Sequence, residues 1–355
     1  MKKIMKRFII IVAAALLLVL TGGIILFRGE LTTILNLHKV NDYPFYEMKY
    51  RADYKLSEFE KEGANSDQAL EEFLSDKVVK FCPDFKLNPE GACSTFSATT
   101  PENDYLFCRN FDFFPSTALL VHTTPKDGYH SLSMVNLNHI NYNENSQPTN
   151  LFNRIQVLAT PYLVLDGMNE KGLAVGVLTV DEQRVHQDTG KLPVTTTSAL
   201  RLLLDRAATV EEAIKLLEGY DMNSSSDSTG YHFQIADATG DSAVIEYLRG
   251  EMVVLRKGNK SYIAATNFTL SSANHRGVGK SHYETLVKGL NESKGILTEE
   301  QSMQLLSDVT TVENSPNGNA FTCNTQWSVV YNLSEKTMKV CIGMDYDTVY
   351  EYKVD

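Results

Sequence analysis

The chain has 355 residues, 43% of them hydrophobic and 22% charged, and carries a formal net charge of −11. That balance suits a globular body with a sizeable core, and the lack of a basic footprint excludes nucleic acid as an expected partner. Five cysteines with no CxxC pair exclude a zinc ribbon, and eight histidines without HExxH spacing argue against a metal site, so no cofactor is expected.

In chain order, Lys2, Lys3, Lys6 and Arg7 precede an uncharged run from Phe8 to Phe27. Twenty helical residues span about 30 Å, the thickness of a hydrocarbon core. The basic flank predicts a cytoplasmic N-terminus and an exported remainder, either membrane-anchored or secreted. Segment 1–28 thus reads as a signal anchor or a cleaved signal peptide. The length of the run and the absence of a small-x-small site behind it favour the anchor. Asp67 to Leu74 reads as an amphipathic helix capped by Ser66 or Asp67. Pro83, Pro89 and the run Asn88-Pro-Glu-Gly then mark a loop.

Strands are predicted at Ser94 to Ala98, Tyr105 to Phe111, Ala118 to Thr123 and His130 to Leu137. Tyr162 to Asp166 and Leu173 to Val180 flank a turn and predict a hairpin. Two helices follow, from Thr195 to Ala207 and after Thr209, whose spacing to Glu212 suits a capping box. Tyr231 to Ala236 and Ser242 to Leu248 predict a second hairpin, extended by Met252 to Arg256 and Tyr262 to Thr266. Helices at Ser281 to Leu290 and Thr298 to Val309 precede strands at Gln326 to Leu333, Thr337 to Ile342 and Thr348 to Val354. Because helices come in groups, the order disfavours β-α alternation and suits antiparallel sheets with helices outside.

The densest chemical signal is Gly91-Ala-Cys93-Ser-Thr-Phe-Ser-Ala followed by Phe107-Cys-Arg109-Asn-Phe-Asp112. If these strands pair, a thiol, a guanidinium and a carboxylate converge. Cys108 points to the face opposite Arg109, where packing is its expected task. The arrangement resembles the choloylglycine hydrolase family of Ntn hydrolases, which includes bile salt hydrolases and penicillin V acylases, with acid ceramidase-like and isopenicillin N acyltransferase-like relatives. The likeness rests on Cys93, Arg109 sixteen residues on and Asp112 three beyond. It continues through Asp166-Gly-Met-Asn-Glu-Lys-Gly-Leu-Ala, Ala236-Asp-Ala-Thr-Gly-Asp-Ser-Ala-Val-Ile-Glu, Thr266-Asn267-Phe and Trp327-Ser-Val-Val-Tyr-Asn.

The resemblance implies an α+β fold, a four-layer αββα sandwich over 93–355, preceded by a pro-segment, 29–92, that is separated by autocleavage between Ala92 and Cys93. It also implies a linear amide C–N hydrolase acting on a small N-acyl compound. Cys93 is then the nucleophile, Arg109 lowers its pKa, Asp112 holds the new amine and Asn267 serves the oxyanion. Thr179 falls where bile salt hydrolases carry an asparagine. A late family arginine matches either Arg276 or His282, with Arg276 preferred. These two departures argue against assuming a bile salt as substrate.

The chemistry stands without the resemblance. A free α-amine, with a pKa of about 7.7–8.0, can take the proton of its own residue's thiol, whose unperturbed pKa is about 8.5. No histidine is then required. The alternatives are an acyltransferase using the same thioester, a surface protein that binds ligand on this scaffold without turnover, and a papain-like protease. The last lacks a peptidase motif around Cys93. Trp327, Tyr331 and the Asp166 block read as packing and turn residues. An oligomer is compatible with the sequence.

Overall fold

The computed structural model describes residues 2–80, 92–143, 146–182, 184–225, 229–272, 277–312 and 323–354. Its helices are α1 (Lys2–Leu26), α2 (Arg28–Asn36), α3 (Leu56–Glu62), α4 (Asp67–Lys77), α5 (Thr196–Arg206), α6 (Val210–Glu218), α7 (Lys280–Glu292) and α8 (Glu299–Ser307).

A six-stranded sheet carries the strands around Cys93. Its order is β14 (Ala264–Ala265), β3 (Ala92–Thr99), β4 (Tyr105–Phe113), β15 (Asn324–Asn332), β16 (Thr337–Ile342) and β17 (Val349–Lys353), all antiparallel. Strand alternation sorts its side chains. Phe96, Leu106, Cys108 and Val330 face Leu286 and Leu290 of α7 and Leu305 and Leu306 of α8. Phe107, Phe111, Trp327 and Tyr331 face the other way, into the main core.

That core is shared with a nine-stranded sheet. Its order is β1 (His38–Asn41), β2 (Phe45–Tyr50), β5 (Ala118–Thr123), β6 (Ser131–Asn136), β7 (Asp166–Asn169), β8 (Ala174–Val180), β11 (Gly230–Ala236), β12 (Ser242–Leu248) and β13 (Glu251–Arg256). Helix α5 packs on β7 and β8, while β3 packs on β8 from the opposite side. Pairing is antiparallel except between β2 and β5. A small parallel pair, β9 (Leu192–Thr195) with β10 (Tyr220–Asn223), lies beside α5 and α6.

Most expected elements stand where the sequence puts them, with named exceptions. The region before Cys93 supplies β1 and β2 as well as helices. Tyr162 to Asp166 is not a strand: Asn153–Tyr162 coils as a 3₁₀ helix containing Pro161, and the strand begins at Asp166. Tyr262 to Thr266 does not extend the β11–β13 region, because Ala264–Ala265 pairs with β3 in the other sheet. Ser66 caps α4, its side chain accepting from Ala69 N–H at 3.2 Å. The Glu212 carboxylate reaches back to Ala208 N–H, one residue short of the expected box.

Candidate active site

The β3–β4 ladder places Cys93 opposite Phe111 and Thr95 opposite Arg109. Arg109 is fully buried, and its Nη2 donates to Cys93 Sγ at 2.9 Å. Its Nη1 donates to the Leu165 carbonyl, and its Nε lies 3.4 Å from Asp166 Oδ2. That last contact is an ion pair without hydrogen-bond geometry, since Nε has no hydrogen-bond partner. Phe111 packs under the guanidinium, 5.7 Å from Cζ to ring centroid, and stacks on Trp327 at 4.2 Å. Gly176 on β8 leaves room for the arginine: a Cβ there would come within 3.1 Å of Nη1.

Asp166 is the residue that sequence reading undervalued. Its carboxylate, wholly buried, accepts from Tyr331 Oη at 2.6 Å and Trp327 Nε1 at 3.1 Å. Burial raises its pKa, while Arg109, Tyr331 and Trp327 oppose the rise. Three blocks distant in the chain therefore meet behind one guanidinium. Trp327 and Tyr331 are core residues, as expected, and they also orient the charge beneath the thiol.

Cys93 is 3% exposed, and burial pushes its thiol pKa up to about 12, with Arg109 pulling the other way. The arginine acts on the thiol in the expected direction, but in this intact chain desolvation outweighs it. The backbone N–H of Cys93 donates to Asn267 Oδ1 at 2.8 Å. Asn267 Nδ2 donates instead to Thr179, to its carbonyl at 2.8 Å and its Oγ1 at 3.0 Å. The amide thus shows Cys93 its oxygen, and its N–H donors are engaged by Thr179.

The loop bearing Asn267 is held from behind. His232, buried on β11, faces the Thr266 carbonyl with Nε2 at 2.9 Å and Glu246 Oε1 with Nδ1 at 3.3 Å. Glu246 also accepts from the N–H groups of Leu270 at 2.6 Å and Ser271 at 3.0 Å. Burial raises the pKa of this carboxyl, yet the bonds from His232, Ser271 and Leu270 leave it lowered overall.

Asp112 stands across the ladder from Ala92, one residue from the thiol's partner Phe111. Its oxygens accept from Thr325 Oγ1 at 2.6 Å and Thr311 Oγ1 at 2.9 Å, not from Cys93. Burial raises its pKa against the pull of those hydroxyls and of nearby His282. Arg276 lies outside the described residues. Cys93, Cys108 and Cys341 are free thiols.

The thiol lines a narrow pocket of about 20 Å³, walled by Phe111, Leu165, Val177 and Tyr231, with Thr179, Thr196, Thr197 and Ser225 also on its lining. A family model described as acyl-coenzyme A:6-aminopenicillanic acid acyl-transferase matches residues 99–347. The chain belongs to that family. A penicillin V acylase from Pectobacterium atrosepticum is 35% identical over 112 residues, which span 29% of each protein. The fold is similar to two mutant crystal structures of a conjugated bile acid hydrolase from Clostridium perfringens. Each has a TM-score of 0.52 and 16% identity, covering 74% of this chain and 92% of the other. This family member therefore has the Ntn-hydrolase fold, mixed α+β with predominantly antiparallel sheets. The position of Cys93 ahead of the matched segment leaves its role to be argued from geometry.

Proposed function

We propose that the protein is an N-terminal-nucleophile cysteine amidohydrolase made as a precursor, with 29–92 as its pro-segment and 93–355 as the αββα catalytic body. One observation carries the reading. Sγ and the backbone nitrogen of the same residue, Cys93, are held separately, by Arg109 Nη2 and Asn267 Oδ1, at the head of an apolar pocket. A residue that only packed would not need both grips.

In processing, the Cys93 thiol attacks the Ala92 carbonyl carbon. The 92–93 C–N bond breaks, the thiol proton goes to the departing nitrogen, and Ala92 is left as a thioester on Sγ. Water hydrolyses the thioester, releasing the Ala92 carboxylate and a Cys93 with a free α-amine. In turnover that amine takes the thiol proton as Sγ attacks the substrate carbonyl, then passes it to the leaving amine. Water regenerates the thiol. Asp112 and Arg276 are assigned to the amine and to the substrate. Asn267 serves the oxyanion once its donors turn from Thr179, one such donor being worth roughly 10²–10³ in rate.

The substrate is an N-acyl amide with an apolar acyl group, which suits the pocket walls. The matched family's name favours a second outcome for the thioester, transfer of the acyl group to an amine. The helix α1 is long and apolar enough over Met5–Leu26 to cross a membrane, and we assign it as the anchor or signal of an extracytoplasmic enzyme.

Mass spectrometry of the purified protein tests the reading. It should show a fragment beginning at Cys93, and a panel of fluorogenic N-acyl amides should be hydrolysed. Cys93→Ala should abolish both. An intact chain that hydrolyses the panel without that fragment overturns the mechanism, whereas correct processing without turnover points to a ligand-binding protein.

A further inference from the structure

The end of α1 does not simply tether the body. Gly23 and Ile24 from its last turns and Phe27 just after it join Leu31 and Ile34 of α2 and Leu158 of the 3₁₀ segment in a groove of about 370 Å³. On α2, Leu35 stands 65% exposed, and just ahead of the 3₁₀ segment Leu151 and Phe152 stand 46% and 85% exposed. Arg154 ties the two elements together, its Nη1 donating to the Ile34 carbonyl at 3.2 Å. Exposed apolar side chains gathered on two tied elements mark a candidate interaction site.

We propose that this face rests on the bilayer and that the groove takes one acyl chain of a phospholipid from the same leaflet. The proposal builds on α1 as a membrane anchor. Two observations select lipid. The groove is continuous with α1, so its first residues lie where a crossing helix leaves the hydrocarbon. Its lining also carries Lys80, and Arg28 opens the adjoining helix α2, a basic complement for phosphate; Glu30 is the one acidic lining residue. An apolar floor with basic flanks is the pattern of an interfacial surface.

The sole tryptophan, Trp327, is fully buried, so an added indole reports its own surroundings. The full chain carrying Phe152→Trp or Leu35→Trp is reconstituted in phosphatidylcholine vesicles brominated on the acyl chains. Ile296→Trp, between α7 and α8 on the far layer and 49% exposed, is the control. Quenching at 152 and 35 beyond the unmodified chain, and none at 296, is expected. A phosphatidylcholine with a diazirine at its acyl terminus should crosslink to 28–36 and 151–158. A chain that floats with vesicles yet shows neither result overturns the proposal and leaves the anchor standing. A chain that does not float removes both.

Discussion

At the scale of single residues, burial keeps Cys93, the proposed nucleophile, as a neutral thiol. Burial holds Cys93 near pKa 12, so in the intact chain the proton stays on sulfur through neutral pH. At pH 8 the thiolate is about one part in ten thousand. Peptide mapping after brief iodoacetamide treatment of the uncleaved chain at pH 8 should leave Cys93 unlabelled while free cysteine added to the same sample is alkylated. The Cys93 rate should rise about tenfold per pH unit from 8 to 10. Cleavage places an amine of pKa about 7.7–8.0 on the same residue, and Cys93 should then become the fastest thiol at pH 8. Labelling of Cys93 in the intact chain as fast as the added free cysteine would show that desolvation does not govern the sulfur. Asp166 acts one layer deeper. Asp166→Ala leaves Arg109 as a buried charge without its carboxylate, a change that typically costs about 3–5 kcal/mol. The urea midpoint should fall accordingly, while Asp166→Asn, which keeps an acceptor for Tyr331, should lose less stability and still impair processing.

At the scale of elements, two strands must approach closely for the guanidinium to reach sulfur. Gly176 on β8 makes that possible. Gly176→Ala puts a methyl against Nη1 and the Phe107 ring, and overpacking of this sort costs about 1–3 kcal/mol. Because the displaced group is Arg109, kcat should fall roughly tenfold or more with KM little changed, since small misplacements of a reacting group are expensive. An unchanged kcat would remove Arg109 from the chemistry. The same elements show what could be read in advance. The β3–β4 pairing was legible because polar turn residues separate two apolar runs, and it correctly placed Arg109 beside Cys93. The Asp166, Glu246 and Trp327 blocks were visible as motifs, but their roles were not. Each acts across the gap between sheets or on a distant loop, and sequence spacing carries no information about which sheet faces which. Strand β2 was missed because its burial comes from pairing with β5, and β1 because it is a short, largely unburied edge strand that pairs only with β2. The 3₁₀ segment was missed because its apolar run resembles a strand until Pro161 is placed.

At the scale of the whole molecule, the segment ahead of Cys93 is woven into the body it precedes. Strand β2 pairs with β5 over six positions, and Phe45, Tyr46, Met48 and Tyr50 on it are all buried. Tyr54 Oη donates to Asp205 Oδ2 at 2.5 Å, and Arg206 Nε lies 2.7 Å from Glu60. Phe59 and Phe73 pack their ring edges on Tyr162, at 5.2 Å and 5.8 Å. Burying each large apolar side chain is worth about 1.5–3 kcal/mol, so four on one strand outweigh what a single cut peptide bond releases in chain entropy. On the proposed cleavage at 92–93, the two fragments should therefore co-elute in size exclusion in mild detergent and separate only in strong denaturant. Removing the anchor's fragment would expose β5 as an unpaired edge led by four apolar residues, Ala118 to Val121, a surface prone to aggregate. Elution of a soluble, active 93–355 fragment alone would mean that the nine-stranded sheet survives without β1 and β2, and that the leading segment is dispensable after processing.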